Sequence, residues 1–356
     1  MQHMKILTIL FFILAAVIDS RGCTSAIISG QLTSSGKPIL WKNRDTSTID
    51  NKVEYIAPEN VGEYAFVALF NSNDRKCEQA WIGINQVGFA IMNTASYNLK
   101  DDNVPASKMD REGYVMAHAL KHCRTVDDFA ILLEQLPKPL GVEANFGVID
   151  EDGNGAYFEC NNHDYTRFDL NDAPDGVLVR TNYSHSGRKG EGYGQIRERN
   201  AEHLLKPYIT AGHIEPYTLT DILSCSFYHD LYHQDMTTID EQYLVDQDFI
   251  PRYTTTATVA IEDGIMWTAL GYPPVAEIMP VWCASDGVHD DLRGLQPDGT
   301  SKACNRAKVR KNKVFSVKDG NKNRYVNLNV LIQPDGNGML QTFRRQNRQM
   351  YDTFHR

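Results

Sequence analysis

Alternating and continuous apolar runs mark out the elements before composition adds anything. From Cys23 to Ser29 the pattern Cys-Thr-Ser-Ala-Ile-Ile-Ser reads as a strand. A turn at Thr33-Ser34-Ser35-Gly36-Lys37 leads to a second strand over Pro38–Trp41, so a hairpin is expected here. Strand runs follow at Tyr64–Phe70 and Gln79–Ile84, and Asn85-Gln86-Val87-Gly88 turns into another over Phe89–Asn93. Further hairpins are expected where Asn145–Ile149 and Ala156–Cys160 flank Asp150–Gly155, and where Thr254–Ile261 and Ile265–Leu270 flank Glu262-Asp263-Gly264. Tyr325–Ile332 followed by Pro334-Asp335-Gly336 predicts the same device again.

Helical spacing of apolar positions falls between these runs. It predicts helices over Arg111–Cys123, Thr125–Leu136, Gln195–Leu205 and Thr218–Phe227, with a polar one from Thr342 onward. Thr125 is placed to cap the second helix, Asp127 and Asp128 occupy its first turn, and Pro137 and Pro139 stop it. Strands in hairpins and helices in pairs describe an α+β fold with antiparallel sheets. With no fixed-period repeat and no Pro/Ser-rich linker, one domain is expected over 23–356, with a stretch from about Val275 that matches nothing recognisable.

The first residues predict export. Met1–Lys5 carries a lysine, Ile6–Ile18 is an apolar run of signal-sequence size, and Ser20 and Gly22 stand at −3 and −1 of a cut before Cys23. No later run is long enough to span a bilayer. A protein beginning at Cys23, periplasmic or extracellular, is the expectation. The rival is a lipoprotein acylated on Cys23, against which Asp19 and Arg21 speak, since that processing needs small uncharged residues.

Composition is that of an ordinary globular chain: 356 residues, 42% hydrophobic and 23% charged, with a formal net charge of −9. Acidic balance argues against a nucleic-acid partner. The locally basic stretch Ser301–Arg324 lacks interleaved aromatics and is expected to be a solvated edge strand or loop. Besides Cys23 there are Cys77, Cys123, Cys160, Cys225, Cys283 and Cys304. Export permits disulfides. Cys283 with Cys304 is the expected staple, and Cys123 and Cys225 sit in helical patterns as buried thiols.

A cysteine at a mature N-terminus has a chemistry of its own. A thiol attacks only as thiolate, with a pKa of about 8.5 when free. A terminal amine titrates at roughly 7.7–8.0, so it is partly unprotonated near neutrality. Held beside its own side chain, it takes the thiol proton without a separate histidine. Taken by itself, Cys23 reads equally well as a small residue after a cut or as a disulfide partner.

Four segments weigh on that choice. They are Cys23-Thr24-Ser25-Ala26 with Lys42-Asn43-Arg44-Asp45 on the next strand, Gly83 to Asn93 with its Gly-x-Asn-x-x-Gly start, Asn145 to Asp150, and Val177 to Tyr183 with its Thr-Asn pair. In this order they resemble the cysteine N-terminal-nucleophile (Ntn) hydrolases, in the group of choloylglycine hydrolases, penicillin V acylases and 6-aminopenicillanic-acid acyltransferases. The resemblance implies a four-layer αββα sandwich and hydrolysis of a non-peptide amide in a small molecule through a Cys23 acyl-enzyme. Asp45 would orient the nucleophile, and Asn182 and Asn93 would donate to the oxyanion, each such donor worth about 3–4 kcal/mol. Lys42 stands where bile-salt hydrolases carry arginine, which puts a bile-salt substrate in doubt. Arg252 is the candidate for a later arginine of the site. Acyl transfer to an amine instead of water is the nearest alternative, and a lipidated binding protein without catalysis is the rival from another class. A relative of the same fold without activity is the third. Homo-oligomerisation is left open.

Other signals are weaker. Asp150–Gly155 begins like a calcium loop, but Asn161 stands at the twelfth position in place of glutamate. His229 and His233 have zinc-ligand spacing on an expected helix, with Asp230 where a zinc protease has glutamate. No metal and no cofactor is read from either. Asn182-Tyr183-Ser184 is a formal glycosylation sequon, and a sugar there conflicts with an oxyanion role. No papain-like context surrounds Cys23.

Overall fold

A computed structural model describes residues 22–320 and 322–354, so the apolar run Ile6–Ile18 and the rest of Met1–Arg21 lie outside the described residues. In β1 (Thr24–Ile28) and β2 (Ile39–Asp45) apolar side chains point both ways. Ala26, Ile28, Ile39 and Trp41 enter one buried cluster, while Ile27 and Leu40 enter another. A strand apolar on both faces needs a covering layer on each.

The next seven strands are β3 (Asn51–Ile56), β4 (Phe66–Asn71), β5 (Ile82–Asn85), β6 (Ala90–Ala95), β7 (Ala144–Ile149), β8 (Gly155–Cys160) and β9 (Tyr165–Asp169). They form one antiparallel sheet in chain order. β1 and β2 belong to a six-stranded antiparallel sheet ordered β10 (Val177–Arg180), β1, β2 and then Thr255–Glu262, Ile265–Leu270 and Ile278–Trp282. The sheets meet through Ile27, Leu40 and Val259 from one and Val67, Leu69 and Met92 from the other. Each such side chain contributes about 1.5–3 kcal/mol by leaving water.

Helices α1 (Glu112–His122) and α2 (Val126–Gln135) cover the seven-stranded sheet, with Met116, Leu120, Phe129 and Leu133 packed on Phe66, Phe70 and Ile91. The capping box at Thr125 is present, with Asp128 as its second member. Helix α3 (Gln195–Ala211) and a π-helical turn Thr218–Leu223 cover the other sheet through Ala201, Leu205, Leu219 and Leu223. Helix, sheet, sheet, helix is the αββα sandwich.

Several expectations are corrected. Ser301–Arg324 is largely a helix, α4 (Lys302–Val314), because Ala303, Cys304, Ala307, Lys311 and Val314 fall on one buried face. Tyr325–Ile332 splits into the end of strand Lys322–Asn327 and the short helix α5 (Leu328–Leu331). The Pro334 turn then feeds α6 (Met339–Phe354) and makes no hairpin. Tyr351 of α6 lies on Trp267 with ring centroids 4.1 Å apart. All seven cysteines are free thiols, so Cys283 and Cys304 are not paired; their sulfurs face the separate carbonyls of Ala65 and Ile49. Cys123 and Cys225 are buried thiols. Strands β3, β9 and Ile278–Trp282 carried no clear periodic signal, being mostly polar or proline-containing.

The segment Gly83–Asn93 has a packing reason for its form. A Cβ on Gly83 would lie 2.5 Å from the Val67 carbonyl oxygen, so only glycine lets β5 approach β4. Gly88 holds a positive φ of 84° in the turn. The buried Asn85 amide donates to the Leu120 and Cys123 carbonyls (3.0 and 2.8 Å) and accepts from the Val87 and Phe89 N–H groups, tying this turn to the end of α1.

Candidate active site

At one end of the sandwich the space between the sheets turns from apolar to charged. Leu40 lies in the inner core, and Lys42 and Arg44, two and four residues on along β2, point the same way. The Trp81 ring lies against both, 5.9 Å from Lys42 Nζ and 5.0 Å from the Arg44 guanidinium. On neighbouring β1, Ser25 shares that side with Ile27 and hydrogen-bonds Tyr157 at 2.8 Å. Cys23 stands just before β1 and is buried.

The Cys23 sulfur lies against the backbone of Asp45, 3.4 Å from its nitrogen and 3.8 Å from its oxygen. The Asp45 carboxylate has partners of its own. It accepts from Arg252 Nε at 3.0 Å and from an Nη of the same guanidinium, and from the hydroxyls of Thr255 (2.7 Å) and Thr254 (3.3 Å). Arg252 also donates to the Gly22 carbonyl at 2.6 Å. Asp45 and Arg252, far apart in the chain, are thus a buried ion pair beside the Gly22–Cys23 peptide.

Lys42 Nζ donates to the Asn93 side-chain oxygen and to the Trp81 carbonyl, both at 2.8 Å. Burial pushes its pKa down to about 8, partly offset by the Cys23 sulfur. Arg44, besides the Trp81 ring, donates to the side-chain oxygens of Asn51 and Asn71, and burial brings its pKa down to about 10. Asn43, between them, faces the other way and donates to the Ile250 carbonyl at 3.0 Å. Lys311 of α4 is buried on the Tyr253 ring, 4.4 Å from its centroid, and its pKa falls to about 8, again mainly by burial.

Asn182 follows β10 and is fully buried. Its Nδ2 donates to the Ala95 carbonyl at 2.8 Å, and its Oδ1 accepts from Arg197 at 2.8 Å. Arg197 also donates to the Cys23 carbonyl (2.6 Å), the Gly22 carbonyl (2.8 Å) and the Thr24 hydroxyl (2.9 Å). Burial first, and the Arg252 charge second, lower its pKa to about 9.

The six residues singled out in the sequence (Cys23, Lys42, Asp45, Asn93, Asn182 and Arg252) therefore line one region. Cys23, Asp45, Arg252 and Asn182 are linked through the Gly22–Cys23 peptide and Arg197. Lys42 with Asn93 forms its other wall. Arg197 and Arg44 escaped the sequence reading: Arg197 sits in a polar helix that looks solvated, and Arg44 reads as a strand charge. The one signal for Arg197 is Gly192-Tyr193-Gly194 ahead of α3, where both glycines have positive φ.

His229 and His233 do not share a helix; His229 lies in the two-residue strand Tyr228–His229, and His233 follows in its turn. Among the described residues no group of three or more His, Cys, Asp or Glu side chains is arranged to hold a metal, and no helix is long and apolar enough to cross a membrane. Asp150 of the calcium-like loop caps its own turn and accepts from Asn154 and from the Val126 N–H.

Antiparallel sheets face to face between helical layers form the four-layer sandwich that an Ntn hydrolase is expected to have. Residues 32–222, more than half of the chain, match the family model "Acyl-coenzyme A:6-aminopenicillanic acid acyl-transferase", and the chain belongs to this family. The match includes Asp45, Asn93, Asn182 and Arg197. A mutant of conjugated bile acid hydrolase from Clostridium perfringens is similar in structure at 14% identity and a TM-score of 0.47, covering 75% of this chain and 95% of that one. Penicillin V acylase from Agrobacterium tumefaciens is similar at 11% identity and a TM-score of 0.40, covering 73% and 86%. No curated protein matches the chain significantly.

Proposed function

We propose that the protein is an exported amidase that cleaves a non-peptide amide through an acyl-enzyme on Cys23, once a cut after Gly22 has freed the Cys23 amine. The observation that carries this reading is the placement of the Cys23 thiol on the Asp45 backbone, with the peptide to be cut gripped by Arg252 and Arg197.

The chemistry runs as follows. The α-amine accepts the thiol proton, and the thiolate attacks the amide carbonyl carbon. Charge that develops on the carbonyl oxygen is met by amide donors, for which Asn182 and Asn93 are the candidates. The ammonium returns its proton to the leaving amine as the C–N bond breaks, leaving a thioester. Water then adds, the C–S bond breaks, and the acid and the thiol are released. The amine must be unprotonated to begin. The Arg252 and Arg197 guanidinium groups donate to the carbonyls of Gly22 and Cys23, on either side of the Cys23 nitrogen.

Transfer to an amine acceptor shares every step up to the thioester, and the family description favours keeping it as the second reading. The two differ only in what takes the acyl group. Partition of the thioester between water and an added amine, followed by product mass, separates them.

Against a lipid on Cys23 stands the packing of its sulfur on the Asp45 backbone, in a residue that is 8% exposed. The test is the intact mass of the exported protein before and after an activated acylating ester, with Cys23→Ala alongside. A chain that starts at unmodified Cys23 and gains one acyl mass only in the wild type supports the reading. A lipid-sized increment, a cut elsewhere, or equal labelling of Cys23→Ala overturns it.

A further inference from the structure

We infer that Arg197 is a positioning residue whose guanidinium fixes the Asn182 amide in the one orientation that turns an N–H toward the reacting carbonyl. The inference rests on the acyl-transfer reading above.

The two ends of an asparagine amide are alike in size, so its neighbours decide which end faces where. Here both decide the same way. The guanidinium donates to Oδ1 at 2.8 Å, and the Ala95 carbonyl accepts from Nδ2 at 2.8 Å. A rotated amide would set N–H against N–H and carbonyl against carbonyl in a fully buried place, where neither group finds water. With one Nδ2 hydrogen on Ala95, the other is left for a substrate oxygen.

Arg197 is itself held to the nucleophile. The nitrogen that does not touch Asn182 donates to the Cys23 carbonyl at 2.6 Å and to the Thr24 hydroxyl at 2.9 Å. One rigid fork therefore ties the backbone of the nucleophile to the amide of the donor, which lysine's point charge does not do. The path is kept clear by Gly194, the N-cap of α3, with a φ of 97°. A Cβ there would lie 2.4 Å from the Arg197 guanidinium. A buried arginine with no ion pair among the described residues, and with its Nε unpartnered, is costly to keep.

The test compares two reactions of the same thiol in the processed protein. Alkylation by iodoacetamide develops no oxyanion, whereas acylation by p-nitrophenyl acetate does. Asn182→Asp keeps the size and an oxygen for Arg197 but removes the donor; because it also sets an oxygen on the Ala95 carbonyl, its folding is checked alongside by thermal unfolding. Arg197→Gln removes the fork. Each is expected to slow acylation by about 10²–10³-fold, the loss typical of one oxyanion donor, while alkylation shows no comparable loss. In the double variant the losses are expected not to add. Gly194→Ala, which crowds the guanidinium, is expected to mimic Arg197→Gln in this ratio, and Arg197→Lys to restore little. These two keep the proposal open to refutation if Arg197→Gln fails to fold. Normal acylation in Asn182→Asp overturns the oxyanion reading itself. A slow Asn182→Asp with Arg197 variants that acylate normally, or additive losses, overturns the role of Arg197 alone.

Discussion

Arg252 closes on Asp45 with two of its nitrogens on one carboxylate oxygen, while the other carboxylate oxygen takes the Thr255 hydroxyl. Asp45 thereby serves two sides at once, meeting the Cys23 sulfur with its backbone and Arg252 with its side chain. Removing one partner of this buried pair strands the other. Asp45→Asn is expected to destabilise the protein by about 3–5 kcal/mol, read by denaturant unfolding. Asp45→Asn with Arg252→Met should recover much of that stability and none of the amidase activity. Full activity in the double variant would assign the pair to folding alone.

Lys42 makes the activity pH-dependent in a defined direction. Burial lowers its pKa to about 8, so it is charged below that pH and neutral above it. If its charge holds the thiolate, activity falls as pH rises through about 8. Lys42→Arg, which stays protonated, is expected to move that alkaline limb upward, and Lys42→Met to lower activity about tenfold for each unit by which the thiol pKa rises. Stability moves the opposite way: between about 8 and 10.5 the unfolded chain binds more protons at this site than the folded one, so this group's contribution rises with pH. A pH–rate profile unchanged in Lys42→Arg would remove Lys42 from the mechanism.

Asn85 stands inside the stretch that carried part of the family resemblance, yet its hydrogen bonds are those of a structural tie. Asn85→Ala is expected to destabilise the protein by at least about 2 kcal/mol, since four backbone groups lose a hydrogen bond whose net worth is about 0.5–1.5 kcal/mol each. The rate of thiol acylation per folded molecule should not change. Thermal unfolding and active-site titration together check both halves.

The sequon at Asn182 is expected to carry no sugar. Its side chain is fully buried, and the nitrogen that would carry the sugar donates to the Ala95 carbonyl, so a glycan would have to break into packed protein there. Peptide mapping after expression in a glycosylating host gives the answer. A sugar on Asn182 in active protein would end its candidacy as an oxyanion donor.

The opening strands, the helix pair α1 and α2 and the antiparallel class were legible in the residues alone, because periodicity follows directly from burial. The sequence also marked Cys23, Asp45, Asn182 and Arg252 as candidates, chiefly through family resemblance. It placed the hairpin Thr255–Glu262 with Ile265–Leu270 and the last helix, and misjudged Ser301–Arg324, the Tyr325–Gly336 stretch and the pairing of Cys283 with Cys304. In α4 the buried face itself carries Lys311 beside Ala303, Cys304, Ala307 and Val314, so it does not read as apolar, and Cys283 and Cys304 are near in the chain but face different carbonyls. Only the tertiary structure decided which charges meet. Asp45 and Arg252 are joined because strand Thr255–Glu262 lies beside β2, and Arg197 reaches Cys23 because α3 lies over β1. Long-range pairing of strands sets those neighbours, and no local pattern records it.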